Sequence, residues 1–389
     1  MAPGRRVLKS RMRNGSKAPG MAREYTRAAG PRVARRTARA HTVAVALEPP
    51  RPALPDHTPA IDALLERHGL RRAGPPVHLA DSIQNPSYRV ATGAGTFVVR
   101  VHKKSRTVDG IAFEHAVMRY AAAGGVPVAL PVPTSAGETA IRAAGVLLAL
   151  YPWVEGRTAA RGSITPGEAA LLGETGGRIH AALAGYPGEV PRAWRSGAQW
   201  ETETSIAQLS RVDDLIRYYP APGEEYLRAQ EGLRDALDLL ETPGVAVPWS
   251  SFSDLRLTLV HGDFHERNVI LGGDGGVAAV VDWEAAGLLP PLFELLRCVT
   301  FAGLLDEPHL GAYLDGYRRH AIIAAGACEA SVEFWWQSLL HDTWVYTQRF
   351  IEGDHGVTRF FTETRANIAR LREPAERARL AAALRAHAG

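Results

Sequence analysis

Between Leu259 and Trp283 the chain carries polar residues whose types and spacing suit one kind of chemistry. His261-Gly262-Asp263-Phe264-His265-Glu266-Arg267-Asn268 leads into Val269-Ile270-Leu271; a glycine-rich turn, Gly272 to Gly276, follows, and then Val277-Ala278-Ala279-Val280-Val281-Asp282-Trp283. Two short apolar runs around such a turn form an antiparallel hairpin. The residue before its first strand and the residue after its second share the open end, so Asn268 and Asp282 are expected to be neighbours although 14 positions apart. Asp263 sits on the loop that feeds them. Carboxylate and amide oxygens are hard ligands that suit Mg²⁺, which completes its shell with water and substrate phosphates. Phosphoryl transfer needs a metal to neutralise phosphate charge and a carboxylate to orient and deprotonate the attacking hydroxyl. On this reading Asp263 is the base, and Asn268 and Asp282 hold the metal. A competing reading places zinc on His261, Asp263 and His265, which alternate along an extended segment. It leaves Asn268, Asp282 and the hairpin without a role. His-Gly-Asp alone is an ordinary turn sequence; its linkage to an Asn and a second Asp sets it apart.

These residues need a scaffold, and the rest of the pattern supplies one. Thr58 to Leu70 reads as a short helix with Ile61, Leu64 and Leu65 on one face. Strands are expected at Val77 to Leu79, Tyr88 to Thr92 and Thr96 to His102, the last two joined at Gly93-Ala94-Gly95. Asp109 is expected to cap a helix with Phe113, Val117 and Ala121 on its apolar face, ended by Gly124-Gly125. Another strand covers Val146 to Tyr151. Beyond Pro152 the pattern turns helical: Thr165-Pro166-Gly167-Glu168 is a capping box, and 224–241 and most of 291–388 have helical character. A small sheet-rich lobe followed by a larger helical one implies a cleft between them.

Composition narrows the classes. With 46% hydrophobic and 22% charged residues the chain of 389 residues can bury a large core. The most apolar stretch, Val146 to Val154, is far shorter than the ~20 residues of a membrane-spanning helix. Two cysteines, Cys298 and Cys328, make no disulfide framework, and a reducing cytoplasm is the expected compartment. The net charge of +4 divides unevenly: residues 1–50 carry +10 and the remainder −6. A mildly acidic body gives no warrant for specific nucleic-acid binding. Residues 1–55 read as a disordered basic arm and Pro-rich linker, with Met21 as an alternative start, and no apolar segment follows Arg5-Arg6 to make an export signal.

The pattern His-Gly-Asp-x-His-x-x-Asn with a later Val-Asp-Trp resembles the aminoglycoside phosphotransferase and choline kinase family, relatives of the protein kinases. The resemblance runs from about residue 57 to at least residue 350. It implies an α+β, protein-kinase-like bilobal fold, with a small antiparallel-sheet N-lobe at 56–152 and a larger, mostly helical C-lobe at 153–389. It also implies ATP and Mg²⁺, and transfer of the γ-phosphate to a hydroxyl of a small molecule. Asp263 matches the family's base, Asn268 and Asp282 its metal ligands, and His261 a residue that braces the loop. Gln84-Asn85-Pro86-Ser87 occupies the place of the loop over the phosphates, so Asn85 and Ser87 are expected at the nucleotide. Arg100 stands where kinases have a lysine, with Glu114 as its ion-pair partner and Lys103 and Lys104 as fallbacks. Arginine keeps the charge but grips phosphate in a forked geometry. Leu148 to Gly156 resembles the interlobe hinge, where backbone groups from Leu150 to Trp153 would meet the adenine. His180 is expected in the core, and Glu294 is expected to brace the metal loop.

The acceptor is open among an aminoglycoside-like antibiotic, a sugar, an amino alcohol and an amino acid. Residues 333–354 offer Trp335, Trp336, Trp344 and Tyr346 with Glu333, Asp342, Glu352 and Asp354. An acidic, aromatic wall would suit a cationic acceptor, whereas an amphipathic helix would bury the aromatics and expose the acids. Two other readings stand beside small-molecule transfer. One is a nucleotide-binding regulatory protein that has lost catalysis, suggested by Arg100. The other is a protein kinase, disfavoured because Asp282 to Pro290 leaves no room for a long activation loop.

Overall fold

A computed structural model describes residues 55–79, 85–191, 199–218 and 223–389, which belong to one compact unit. The basic arm, most of the Pro-rich linker and Gln84 lie outside the described residues. The chain opens with α1 (Thr58–Arg67), then β1 (Val77–His78), β2 (Ser87–Thr92), β3 (Gly95–His102), α2 (Val108–Ala123), β4 (Ile141–Ala143) and β5 (Val146–Pro152). The strands form one antiparallel sheet of five in the order β1-β2-β3-β5-β4. β2 and β3 meet at the expected glycine turn, with Thr92 opposite Gly95. The cap of α2 differs from expectation. Thr107, not Asp109, is the N-cap: its side chain accepts from the Gly110 N–H, and Asp109 falls in the first turn, where a negative charge favours the helix dipole.

Helices dominate the remainder. After β6 (Arg157–Thr158), α3 (Pro166–Leu183) opens with the reciprocal Thr165/Glu168 capping box, as read from the sequence. Then come α4 (Thr202–Arg217), α5 (Glu224–Glu241), β7 (Thr258–Val260), β8 (Val269–Leu271), β9 (Val277–Val280) and β10 (Gly287–Leu289). The chain ends in α6 (Pro291–Phe301), α7 (Glu307–Arg318), α8 (Cys328–Leu340), α9 (Trp344–Phe350), α10 (Phe361–Leu371) and α11 (Pro374–Ala386). β6, β8 and β9 make a three-stranded sheet, and β7 pairs with β10. α3 approaches α7 closely because Gly173 and Gly177 lie on the shared face: a Cβ on either would meet the backbone oxygen of Tyr313 or Tyr317 at 1.9 or 2.3 Å.

Two apolar cores hold these parts. Ile61, Leu64, Val90, Val99, Leu148 and Leu150 close one behind the five-stranded sheet. The larger core fills the helical region and also takes in Phe113, Val117 and Ala121 of α2. The helix that carries Glu114 is therefore packed against the region that carries Asp263. No described helix is long and apolar enough to cross a membrane.

Candidate active site

β7 delivers the chain into a loop, His261 to Asn268, that ends where β8 begins. Gly262 sits at φ +86°, and a Cβ there would come within 2.0 Å of the Ala285 carbonyl oxygen, so this position requires glycine. Glu294 on α6 braces the loop from beneath. Its carboxylate is 1% exposed, accepts the His261 N–H at 3.2 Å and the Gly262 N–H, and is paired with His180 Nε2 at 2.8 Å. His180 Nδ1 is 2.8 Å from the Tyr317 hydroxyl, so the expected core histidine and the expected brace form one chain of bonds. Burial raises the Glu294 carboxyl, but His180, His261 and the Gly262 N–H outweigh it, and the net shift is downward.

His261 is fully buried. Its Nδ1 accepts the Asp263 N–H at 3.3 Å, which leaves Nε2 to donate to the Val281 carbonyl at 3.0 Å. Burial lowers its pKa and keeps the ring neutral in this tautomer. With both nitrogens so engaged and the ring 4.6 Å from that of Trp283, His261 is no metal ligand. Among the described residues no group of three His, Cys, Asp or Glu side chains could hold a metal ion, so the zinc triplet is not assembled.

The hairpin forms as the spacing predicts. Val269 pairs with Val280, and the Val281 N–H donates to the Asn268 carbonyl at 2.9 Å, which brings Asn268 and Asp282 to the same end. The Asn268 amide nitrogen donates to the Asp263 carbonyl at 2.8 Å and to its carboxylate at 3.3 Å. The amide oxygen Oδ1 is then the atom Asn268 can offer a cation. Asp282 adopts the left-handed region, φ +66° and ψ +56°, an uncommon conformation for a side chain other than glycine and one often found at functional positions.

Asp263 is held by a residue that the sequence reading did not single out. Arg297, one turn after Glu294 on α6, donates from Nε to Asp263 Oδ1 at 3.0 Å and also from NH2. Its guanidinium lies over the Phe301 ring, 4.4 Å from the centroid. His265 Nε2 is 3.6 Å from the other Asp263 oxygen. Burial would raise the Asp263 carboxyl, but Arg297 and His265 outweigh it and hold it well below the usual carboxylate range. Arg161, also not anticipated, ties the loop outward through Glu266 at 3.1 Å and Glu363 at 2.6 Å.

The small-sheet residues arrive from separate elements. Arg100 on β3 reaches Asp282 Oδ1 at 2.5 Å and Glu114 at 3.5 Å. Glu114 is 2% exposed, not a solvated helix charge, and also pairs with Arg106. Burial pushes its carboxyl up to about 7 against the pull of both arginines. Asn85 and Ser87 point inward. Asn85 donates to Glu284 at 2.6 Å and accepts the Lys103 N–H at 3.0 Å, while the Ser87 hydroxyl donates to the Asn85 carbonyl at 3.1 Å. Asn85 thereby ties the loop to Glu284 in the turn after Asp282. Lys104 is exposed. At the hinge the Leu150 carbonyl accepts from Val132 at 2.8 Å and the Trp153 N–H donates to Thr96 at 3.2 Å, so those two backbone groups are already committed. The Trp153 ring carries Arg89 at 4.9 Å.

The aromatic, acidic stretch at 333–354 does not form a wall. Trp335, Trp336 and Tyr346 are core residues. Glu333 pairs with Arg377 at 2.9 Å, and Asp354 caps the turn at Gly356. Asp342 is exposed and its Oδ1 accepts the Trp344 N–H at 3.4 Å; desolvation by the surrounding chain pushes the carboxyl up to about 6, partly offset by Arg297 and that N–H.

A small antiparallel sheet over a helical body, with an Asp/Asn/Asp cluster on a hairpin between them, defines a kinase-like phosphotransferase that acts on small molecules. The chain belongs to the phosphotransferase enzyme family (APH), whose model matches residues 77–329. It is similar to the homoserine kinase of Methylobacillus glycogenes, 26% identical over 249 residues that cover 63% of this chain and 70% of that protein. A homoserine kinase of Rhodopseudomonas palustris is 27% identical over 54% of this chain and 57% of its own length. Among solved structures, a spectinomycin phosphotransferase in complex with ADP and spectinomycin shares the fold at a TM-score of 0.56 and 13% identity, covering 84% of this chain and 97% of that one. Amicoumacin kinase in complex with AMP-PNP and Ca²⁺ does so at 0.54 and 18% identity, covering 79% and 92%. The family uses ATP and phosphorylates a small-molecule hydroxyl.

Proposed function

We propose that phosphoryl transfer takes place at Asp263, with the nucleotide held between the sheet of residues 56–152 and the helical body of 153–389. The acceptor hydroxyl gives its proton to a carboxylate oxygen of Asp263 while its oxygen forms a bond to the γ-phosphorus. The bond from that phosphorus to the bridging oxygen breaks, and ADP departs. The single observation that carries this reading is the closure of the hairpin, which sets Asn268 beside Asp282 and fastens the Asn268 amide to Asp263.

The donor set fits Mg²⁺. One carboxylate on Asp282 and one amide oxygen on Asn268 are hard ligands, too few for a closed protein cage and suited to an ion that keeps water and phosphate oxygens. When bound, the ion would neutralise charge on the β- and γ-phosphates. Asn268 holds Asp263 in place through its amide nitrogen. Arg100 supplies positive charge beside Asp282, with Glu114 fixing its direction. His261 and Glu294 keep the loop backbone from shifting. The names of the sequence relatives favour a compact acceptor bearing an amino group over a large glycoside.

Asp263→Asn tests the base. Turnover should fall roughly 10²- to 10⁴-fold while ATP binding with Mg²⁺, followed by titration calorimetry, stays within about threefold, because no phosphate or metal contact is assigned to Asp263. Retained turnover would remove Asp263 from the reaction.

A further inference from the structure

Glu114 has two cations beside it, and they are not equivalent. Its Oε1 lies 3.5 Å from Arg100 NH1, a long contact, whereas its Oε2 is held closely by Arg106 NH2. Arg106 is a buried side chain, 9% exposed, that also donates from NH1 to the Glu284 carbonyl at 3.2 Å. Its own N–H is fixed on the Lys103 carbonyl at 2.9 Å, so Arg106 reaches from the 103–106 turn to α2 and to the turn after Asp282. Arg100 makes its shorter contact elsewhere, with Asp282 at 2.5 Å. A buried carboxylate needs an opposite charge at contact or it takes up a proton. Were Arg100 the sole cation in reach, Glu114 would hold it; with Arg106 in that place, Arg100 can face Asp282. The helix itself does not depend on this bond, because Phe113, Val117 and Ala121 seat α2 in the larger core.

We propose that Arg106 is a positioning residue for the nucleotide: it neutralises Glu114 and so leaves the Arg100 guanidinium directed to the Asp282 side, where the phosphates bind. This rests on the phosphate role given to Arg100 above and adds the residue that makes that role available. The ion pair that the sequence assigns to Arg100 and Glu114 is thereby divided between two arginines, with charge balance at Arg106 and phosphate contact at Arg100.

The test is the affinity of the full chain for ATP with Mg²⁺, measured by titration calorimetry as the ratio of variant to wild-type Kd, which needs no acceptor. In Arg106→Met the apolar stem stays and the charge goes, so the Glu114 carboxylate draws Arg100 to itself and the ratio should be about 10 at pH 9. At pH 6.5 it should shrink to within about threefold, because Glu114, whose carboxyl burial already pushes up to about 7, takes a proton there and releases Arg100. Of the other groups facing Glu114, burial drives His102 down to about 3, His115 down to about 4 and the Tyr151 hydroxyl upward, so none of these three titrates between the two pH values. Asp282 and Glu284 are common to variant and wild type and divide out of the ratio. Adding Glu114→Gln to Arg106→Met removes the competing carboxylate, so the double variant should bind at least about threefold more tightly than Arg106→Met at pH 9 and lose the pH dependence. A purely structural arginine gives the opposite sign, since a second buried substitution weakens binding further. A double variant that binds no better than Arg106→Met, or an Arg106→Met that binds like the wild type at both pH values, overturns the inference. Arg100→Met is the control: if it binds ATP like the wild type, the phosphate role of Arg100 fails and takes the inference with it, whereas a loss in Arg100→Met alone overturns only the inference. Should Arg106→Met fail to fold, the double variant is compared with Glu114→Gln. Affinities within about threefold support the inference, because Arg106 then acts through Glu114, and a weaker double variant overturns it.

Discussion

The loop from His261 to Asp282 and the sheet face around Arg100 hold polar groups in opposite ways. In the loop the groups are close in sequence, and backbone geometry fixes them. Gly262 lets the chain pass the Ala285 carbonyl, Glu294 accepts two consecutive N–H groups, and a hairpin of a few residues aligns Asn268 with Asp282. On the sheet face the groups come from β3, α2 and the 103–106 turn, and they are held by charge: Arg100 and Arg106 share Glu114, and Arg100 also spans to Asp282. A backbone-braced site has one arrangement. A charge-held site depends on its ion pairs, and on the proposed function these are the contacts that nucleotide phosphates would compete for.

That contrast can be broken at its strongest point first. Glu294→Ala leaves two buried N–H groups and His180 without their acceptor, and it should cost roughly 3 to 5 kcal/mol in urea unfolding, as for other buried partners removed singly. Turnover should vanish with it. A loss under about 1 kcal/mol would mean that the loop does not depend on its brace.

A smaller effect is expected at Arg100. Arg100→Met should raise KM for ATP by about 10- to 100-fold, since one charge-assisted contact to phosphate is lost. Arg100→Lys should stay within about threefold, because charge and not fork geometry holds this face. If Arg100→Lys falls as far as Arg100→Met, the sheet face is as geometrically exacting as the loop, and the contrast fails.

The smallest effect concerns Asp342, which lies outside both regions. Its pKa is raised from 3.8 to about 6, so the folded state keeps the proton longer than the unfolded chain does. The stability it contributes is present below pH 3.8 and is lost as pH rises through 6. Solvent screening at this exposed carboxyl limits the change to about 1 kcal/mol or less. Asp342→Asn should remove that slope between pH 4 and 7 in thermal unfolding. A slope that persists in the variant would assign it to another group.

The amino-acid sequence by itself determined most of the elements and the convergence of the cluster proposed as the site. Alternation, glycine turns and the Thr165 capping box are local signals, and a hairpin of known register places its two ends together without reference to the rest of the chain. The convergence of Asp263, Asn268 and Asp282 was legible for that reason. So was Glu114 as the partner of Arg100, because β3 and α2 are consecutive. Tertiary structure decided what lies far apart in sequence. Asn85 turned inward because Glu284, 199 positions away, takes its amide. Trp335, Trp336 and Tyr346 went to the core, because periodicity tells a helix where its apolar stripe is but not which neighbour covers it. Arg297 carried no local signal beyond lying one turn after Glu294. Its place against Asp263 follows from how α6 packs under the loop, and side-chain contact across 34 positions is set by that packing alone.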